Sequence, residues 1–202
     1  MKLATSAQVL ARLNTTVVAT TAVDSALEAA TPIIENVLGT PLQENTRIDW
    51  FSYILGDYSS NPQFISLYLD QGYVQPGIQV YLSTDGYPVT QTFSNAEATT
   101  YVTVDFTLGI VNLYIPPLQG IDTIAVAYTA GFADQSTEIP QYLREASISA
   151  CIRFMHAHKI AHNKDDVPAM AGEYYRLMYT QLNSYVRPRH NGYAPSRSFV
   201  YA

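Results

Sequence analysis

Apolar positions along the chain follow two periods, and the switches between them divide it into three stretches. Near the start, Val9, Leu10 and Leu13 fall on one side of a short helix predicted over residues 6–13. The TTVVATTAVD that follows is β-branched and turn-like. From Asp24, DSALEAATPIIENVLGTPL sets Leu27, Ala30, Ile34, Val37 and Leu38 at helical spacing. Asp24 is the expected N-cap, and Gly39 with Pro41 the stop. Pro32 is the point at which this helix should kink or restart.

Between Thr46 and Ala130 the period falls to two, and β-branched and aromatic residues dominate. Seven strands are predicted: TRIDWFSYIL, QFISLYLD, GIQVYLS, PVTQTF, TYVTVDF, IVNLYI and IDTIAVAYTA. QPG, TDGYP, TLG and PPLQG supply the turns. YLSTDGYPVTQTF and YVTVDFTLGIVNLYI read as hairpins, the first bending at Asp85-Gly86. The spacing predicts an antiparallel sandwich or small barrel.

Helical spacing returns after Gly131. EIPQYLREASISACIRFMHAHKIAH places Leu143, Ala146, Ala150, Cys151, Phe154, Ala157 and Ala161 on one stripe. Pro140 suits a first turn, with Ser136 or Thr137 as cap. A second helix follows, with Asp166 as cap, Pro168 in its first turn, and a stripe of Met170, Tyr174, Leu177, Met178 and Leu182. RPRHNGYAPSRSFVYA lacks packed periodicity and reads as an extended arm. The fold class is therefore α+β: a helical core, a large antiparallel β insertion and a C-terminal arm. The expected parts are residues 1–45, 46–130, 131–185 and 186–202.

Composition narrows the function. The chain has 202 residues, 48% hydrophobic, enough for a real core. Its 16 tyrosines suit both sheet faces and interfaces. Cys151, the one cysteine, excludes an internal disulfide and reads as a small core residue. With no signal-like or membrane-length apolar run, the expectation is a soluble protein of a reducing compartment.

Charge is segregated. No lysine or arginine lies between Arg47 and Arg144, an interval holding Asp49, Asp57, Asp70, Asp85, Glu97, Asp105, Asp122, Asp134 and Glu138. Beyond Glu173 there are no acids, only Arg176, Arg187, Arg189 and Arg197. A cation-free middle is a poor grip for phosphates, which argues against specific nucleic-acid binding there.

Catalytic patterns are missing: no nucleophile elbow, phosphate loop or dinucleotide turn occurs. In HAHKIAH, His158 and His162 stand four apart, as paired zinc ligands do, but no glutamate follows the first. Solvated histidines favouring a helix C-terminus account for them better. No enzymatic activity, metal or cofactor is expected.

The order of elements, with AATPIIENVLGTPL before the insertion and VAYTAGFADQSTEIPQYLREA after it, resembles the head–tail connector (adaptor, or head completion) family of tailed bacteriophages and gene transfer agents. The matching positions are Ala29, Ala30, Ile34, Glu35, Gly39 and Leu42, then Ala130, Gly131, Phe132, Ile139, Pro140, Leu143, Arg144 and Ala146. Pro32, RFMHAHK in place of HYYEHR, and the extension beyond Ala161 depart from the family pattern. The resemblance implies a virion protein at the head–tail interface, forming a homo-oligomeric ring of twelve copies beneath the portal protein. A downstream neck or tail protein would bind below, and genomic DNA would pass without specific binding. An acidic middle suits a wall that repels phosphate, or is a plain solvated face. The arm, through Arg187, Arg189, Tyr193, Arg197, Phe199 and Tyr201, would meet the portal or a neighbour, or add as a strand to a partner's sheet. Gly39, Gly131, Phe132, Pro140, Leu143 and Arg144 would be structural. A tail or baseplate protein is the alternative, and a carbohydrate-binding or hydrolytic β domain a more distant one.

Overall fold

In the computed structural model the described residues are 1–14, 18–54, 65–86, 88, 101–114, 119–160, 167–186 and 194–201. The chain divides into two compact units, Met1–Gln43 with Phe132–Arg187, and Glu44–Gly131 with Pro188–Ala202.

The first unit is helical. α1 (Ser6–Leu13) begins at a reciprocal cap, in which the Thr5 side chain accepts from the Gln8 N–H and the Gln8 side chain accepts from the Thr5 N–H. It ends at Asn14, whose left-handed backbone suits its short amide side chain. α2 (Thr20–Leu38) starts four residues before the predicted cap. Ala19 is its N-cap, and Asp24 lies inside the helix, paired with Lys2 at 3.4 Å. The turn-like reading of TTAV fails because Val23, fully buried, packs with the helix stripe. α2 runs on through Pro32, whose ring lies on the exposed side. Val23, Leu27, Ala30, Ile34 and Leu38 form the buried stripe, and Gly39 closes the helix at φ +71°.

α3 (Gln141–Ala157) packs against α2 and α4 (Val167–Leu182). Pro140 is the N-cap of α3 and not part of its first turn. Neither Ser136 nor Thr137 caps it: the Ser136 hydroxyl accepts from the Glu138 N–H, and the Thr137 carbonyl accepts from Arg144. α3 is buried on more than one side, including Ser147, Ser149 and His156, which blurs its stripe. On α4, Met178 and Leu182 are buried as predicted, but Leu177 faces out beside Tyr175 and Tyr179.

The second unit holds two antiparallel sheets and no closed barrel among its described residues. β1 (Asn45–Tyr53), β2 (Ile65–Tyr68), β3 (Gln79–Leu82), β4 (Val102–Asp105), β5 (Ile110–Leu113), β6 (Gly120–Ala130) and β7 (Arg197–Tyr201) are ordered β3-β6-β1-β7 and β2-β5-β4. Six of the seven predicted strands are present; PVTQTF lies outside the described residues, apart from Pro88. The hairpin expected of β3 and PVTQTF therefore has one described arm, and β3 pairs with β6. The β4–β5 hairpin is as predicted, turning through Gly109 at φ +65°. Side chains from both sheets form one core: Phe51, Leu67, Leu69, Val80, Val111, Leu113, Ile124 and Val126. The other face of β1 buries Ile48 and Trp50 against Ala125. With two sheets over one core, the sandwich half of the sequence expectation fits better than the barrel half.

The seventh described strand was not predicted as part of this sheet. Residues 197–201, read from sequence as an unpacked arm, pair antiparallel with β1 from Thr46 opposite Tyr201 to Trp50 opposite Arg197.

Candidate functional site: the helix-entry motif and the Asp49 cluster

Two sequence-distant motifs meet in the helical unit. Beyond Gly39, the chain is held to the end of α2 by Glu35. Its carbonyl accepts from the Gly39 and Thr40 N–H groups, and its carboxylate accepts from the Leu42 N–H at 2.8 Å. The Leu42 carbonyl then accepts from the Phe132 N–H at 2.8 Å, and Gln43 bridges Phe132 in parallel. From Phe132 the chain crosses a short loop whose Asp134 carboxylate accepts from the Lys2 N–H, and Gln135 donates to the Lys2 carbonyl. Ile139 and Leu143 are buried, and the Arg144 guanidinium donates to the Thr137 carbonyl at 2.5 Å. The opening residues of the chain, the end of α2 and the start of α3 thus share one hydrogen-bonded corner. In the β unit, the Gly131 N–H donates to the Tyr73 carbonyl, and the residue adopts φ +83°. Only glycine takes that backbone without strain.

The second cluster lies inside the β unit. Asp49 is wholly buried on β1. One carboxylate oxygen accepts from the Tyr128 hydroxyl and the Asp70 N–H, both at 2.7 Å, and the other accepts from the Ser198 hydroxyl of β7. Arg47 donates to Ser198 at 2.9 Å and pairs with Asp70 at 2.5 Å. Burial pushes the Asp49 carboxyl above the ordinary carboxylate range; its three donors pull the other way without cancelling that effect. Burial and then the Asp49 charge push the Tyr128 phenol upward. A carboxylate so saturated and covered has no free lone pair facing solvent, so it organises structure and is not exposed to a substrate. Asp49 therefore leaves the set of acids that could line an acidic face. Asp70 stays exposed but is paired with Arg47, and Asp57 and Glu97 lie outside the described residues. The cluster was missed in sequence, although a lone aspartate among Ile48, Trp50 and Phe51 is the kind of interruption that marks a buried polar group.

Of the proposed arm residues, Arg187, Arg189 and Tyr193 lie outside the described residues. Arg197, Phe199 and Tyr201 are in β7, opposite Trp50, Ile48 and Thr46. At the base of the strand, Ser196 donates to the Trp50 carbonyl through both its N–H, at 2.7 Å, and its hydroxyl, at 2.9 Å, and the hydroxyl also contacts the Asp122 carboxylate.

His156, the first histidine of the run, is buried, with its ring 6.3 Å from that of Tyr174. His158, the residue after α3, is exposed, while His162 lies outside the described residues. Among the described residues no group of three or more histidine, cysteine, aspartate or glutamate side chains could hold a metal. No helix there is long and apolar enough to cross a membrane. Cys151 is fully buried, and burial pushes its thiol up to about 12.

No protein-family profile matches the chain, and no curated protein matches it significantly. Among solved structures, a chain in the virion of a native gene transfer agent particle is similar at 16% identity. The match covers 86% of this chain and 80% of that one, with a TM-score of 0.42.

Proposed function

We propose that this chain is a virion structural protein, a head–tail connector whose copies form a ring beneath the portal and join the capsid to the tail. The observation that carries the reading is the corner in the helical unit. The residues that resemble the connector motifs, Glu35, Gly39 and Leu42 on one side and Phe132, Pro140, Leu143 and Arg144 on the other, are about 90 residues apart in sequence. They are joined by the Phe132–Leu42 hydrogen bond, with the β-rich stretch inserted between them. Such a frame suits repeated packing of like copies. A β unit with eight acids and Arg47 as its only cation between Glu44 and Gly131 suits a conduit that should not retain DNA. Asp49 is withdrawn from solvent by burial; Asp85 and Asp105 are exposed and would be available to such a wall. The reading assigns the chain no reaction and no cofactor.

Electron microscopy of the purified protein and of the particle tests it. A ring of about twelve copies between portal and tail is expected; copies located on the shell, along the tail tube or in a baseplate would overturn it. Within this reading, Arg187 and Arg189 meet carboxylates of the portal. The double substitution Arg187→Ala with Arg189→Ala should weaken portal association in a pull-down while leaving the circular dichroism spectrum unchanged. Undiminished portal capture would remove that role from the two arginines.

A further inference from the structure

Every strand of the β unit except one comes from the continuous stretch Glu44–Gly131. β7 arrives after the whole of α3 and α4, from a chain that has meanwhile belonged to the helical unit. Among the described residues it sits at the sheet edge and pairs only with β1. Its described side-chain anchors are polar: Ser196 on the Trp50 carbonyl and Asp122, and Ser198 on Asp49 and Arg47. Without it, β1 would present an open edge, and the buried Asp49 carboxylate would lose one of its three donors and part of its cover.

That edge therefore requires a strand carrying serines at these two positions. Among the described contacts, the ladder and these anchors hold the strand there. Charge is complementary as well. Residues 188–202 carry Arg189 and Arg197 and no acid, whereas Glu44–Gly131 carries eight acids against Arg47. A strand whose contacts are identical in either copy exchanges between protomers at little cost in free energy. We infer that β7 is an exchangeable strand, which in assemblies of this chain completes the β1 edge of a second copy. A strand passed from each copy to the next gives a head-to-tail contact, the kind that closes into a ring when its rotation allows. The inference concerns contacts between copies and holds or fails whatever particle, if any, the assembly belongs to.

The test uses full-length chains with one added cysteine each. Thr46 and Tyr201 are opposite one another across β1 and β7, and Thr46 is exposed. Facing residues of an antiparallel pair bring their Cβ atoms within about 4.5–5.5 Å, near disulfide reach. Thr46→Cys and Tyr201→Cys chains, carrying different affinity tags, are co-expressed, purified through both tags and oxidised with diamide at pH 8. The native Cys151 stays out of this reaction because its thiol is buried and held protonated. A disulfide linking the two chains, seen by non-reducing electrophoresis and lost on adding dithiothreitol, is the expected result. Its absence would overturn exchange. If the doubly substituted chain then closes its own disulfide as a monomer, β7 is shown to stay with its own sheet. Each single variant alone should give no linked species, because neither chain then holds both partners.

Discussion

Removing the Asp49 carboxylate is the sharpest test of the polar cluster that seats β7. Asp49→Ala leaves the Tyr128 hydroxyl proton and the Asp70 N–H without their acceptor at 2.7 Å, and frees Ser198. Ser198 is half-buried and can turn to water, but Tyr128 is almost wholly buried and cannot. Hydrogen bonds to a charged acceptor are worth about 1.5–3 kcal/mol each, so two inside the sheet represent roughly 3–6 kcal/mol. Against this stands the relief of a desolvated charge, which is why the Asp49 carboxyl lies above its ordinary range. The expected net loss is about 2–4 kcal/mol. At about 2 kcal/mol per molar urea for a unit of this size, the β-unit midpoint falls by about 1–2 M.

Asp49→Asn separates shape from charge. The amide oxygen can accept from Tyr128 and Asp70, and the amide nitrogen can donate to Ser198, so the loss at neutral pH should be below about 1 kcal/mol. The pH dependence has a definite sign. A carboxyl whose folded value lies above its unfolded value stabilises most when protonated. The contribution is fully present below the unfolded value, and is lost as pH rises through the folded one. The wild type should therefore lose ground to Asp49→Asn as pH rises from about 3.5 to 7. Urea titrations of both proteins, followed by Trp50 fluorescence, measure it. A loss under 0.5 kcal/mol for Asp49→Ala, on the scale of an unremarkable surface change, would refute the buried network. A widening wild-type advantage with rising pH would refute the assignment of burial as the dominant influence on Asp49.

Other substitutions probe the backbone. At Gly109 an added Cβ would come within 2.2 Å of the Gln71 carbonyl oxygen at φ +65°, so Gly109→Ala should cost at least about 3 kcal/mol, or abolish folding, by urea denaturation. Gly39 has φ +71° but open space around its Cβ position, so Gly39→Ala should cost only about 1 kcal/mol, from backbone strain alone. Pro32 denies the Glu28 carbonyl its helical donor, and Pro32→Ala should raise the thermal midpoint, with a gain of about 1–3 kcal/mol; a fall would mean the proline fits the helix better than its chemistry suggests. Cys151, with its thiol held near 12, should resist Ellman's reagent in the native protein at pH 8 and react fully in 6 M guanidinium; rapid native labelling would contradict its burial.

What the sequence reveals follows from where each segment's partners lie. The strands of the insertion are legible because their alternation is local: Ile65, Leu67 and Leu69 face the core whichever strand they pair with. α2 is legible as a stripe, but its start is not. Thr20, Thr21 and Val23 are β-branched and weak helix formers, and what holds them helical is the burial of Val23, a tertiary contact that overrides propensity. His156 is hidden for the same reason, since α3 lies against both α2 and α4 and has no single solvent face. The largest omission, the pairing of β7 with this chain's own β1, has the most instructive cause. RSFVY alternates as a strand should, yet Pro188, Gly192 and Pro195 nearby and a helical unit before it make it read as a loose tail. Nothing local tells such a strand which edge it completes. That information resides in Asp49, about 150 residues away, a carboxylate that stays buried because a hydroxyl from the tail reaches it. The same remoteness that hides the pairing from the sequence frees the strand to find an identical Asp49 in another copy.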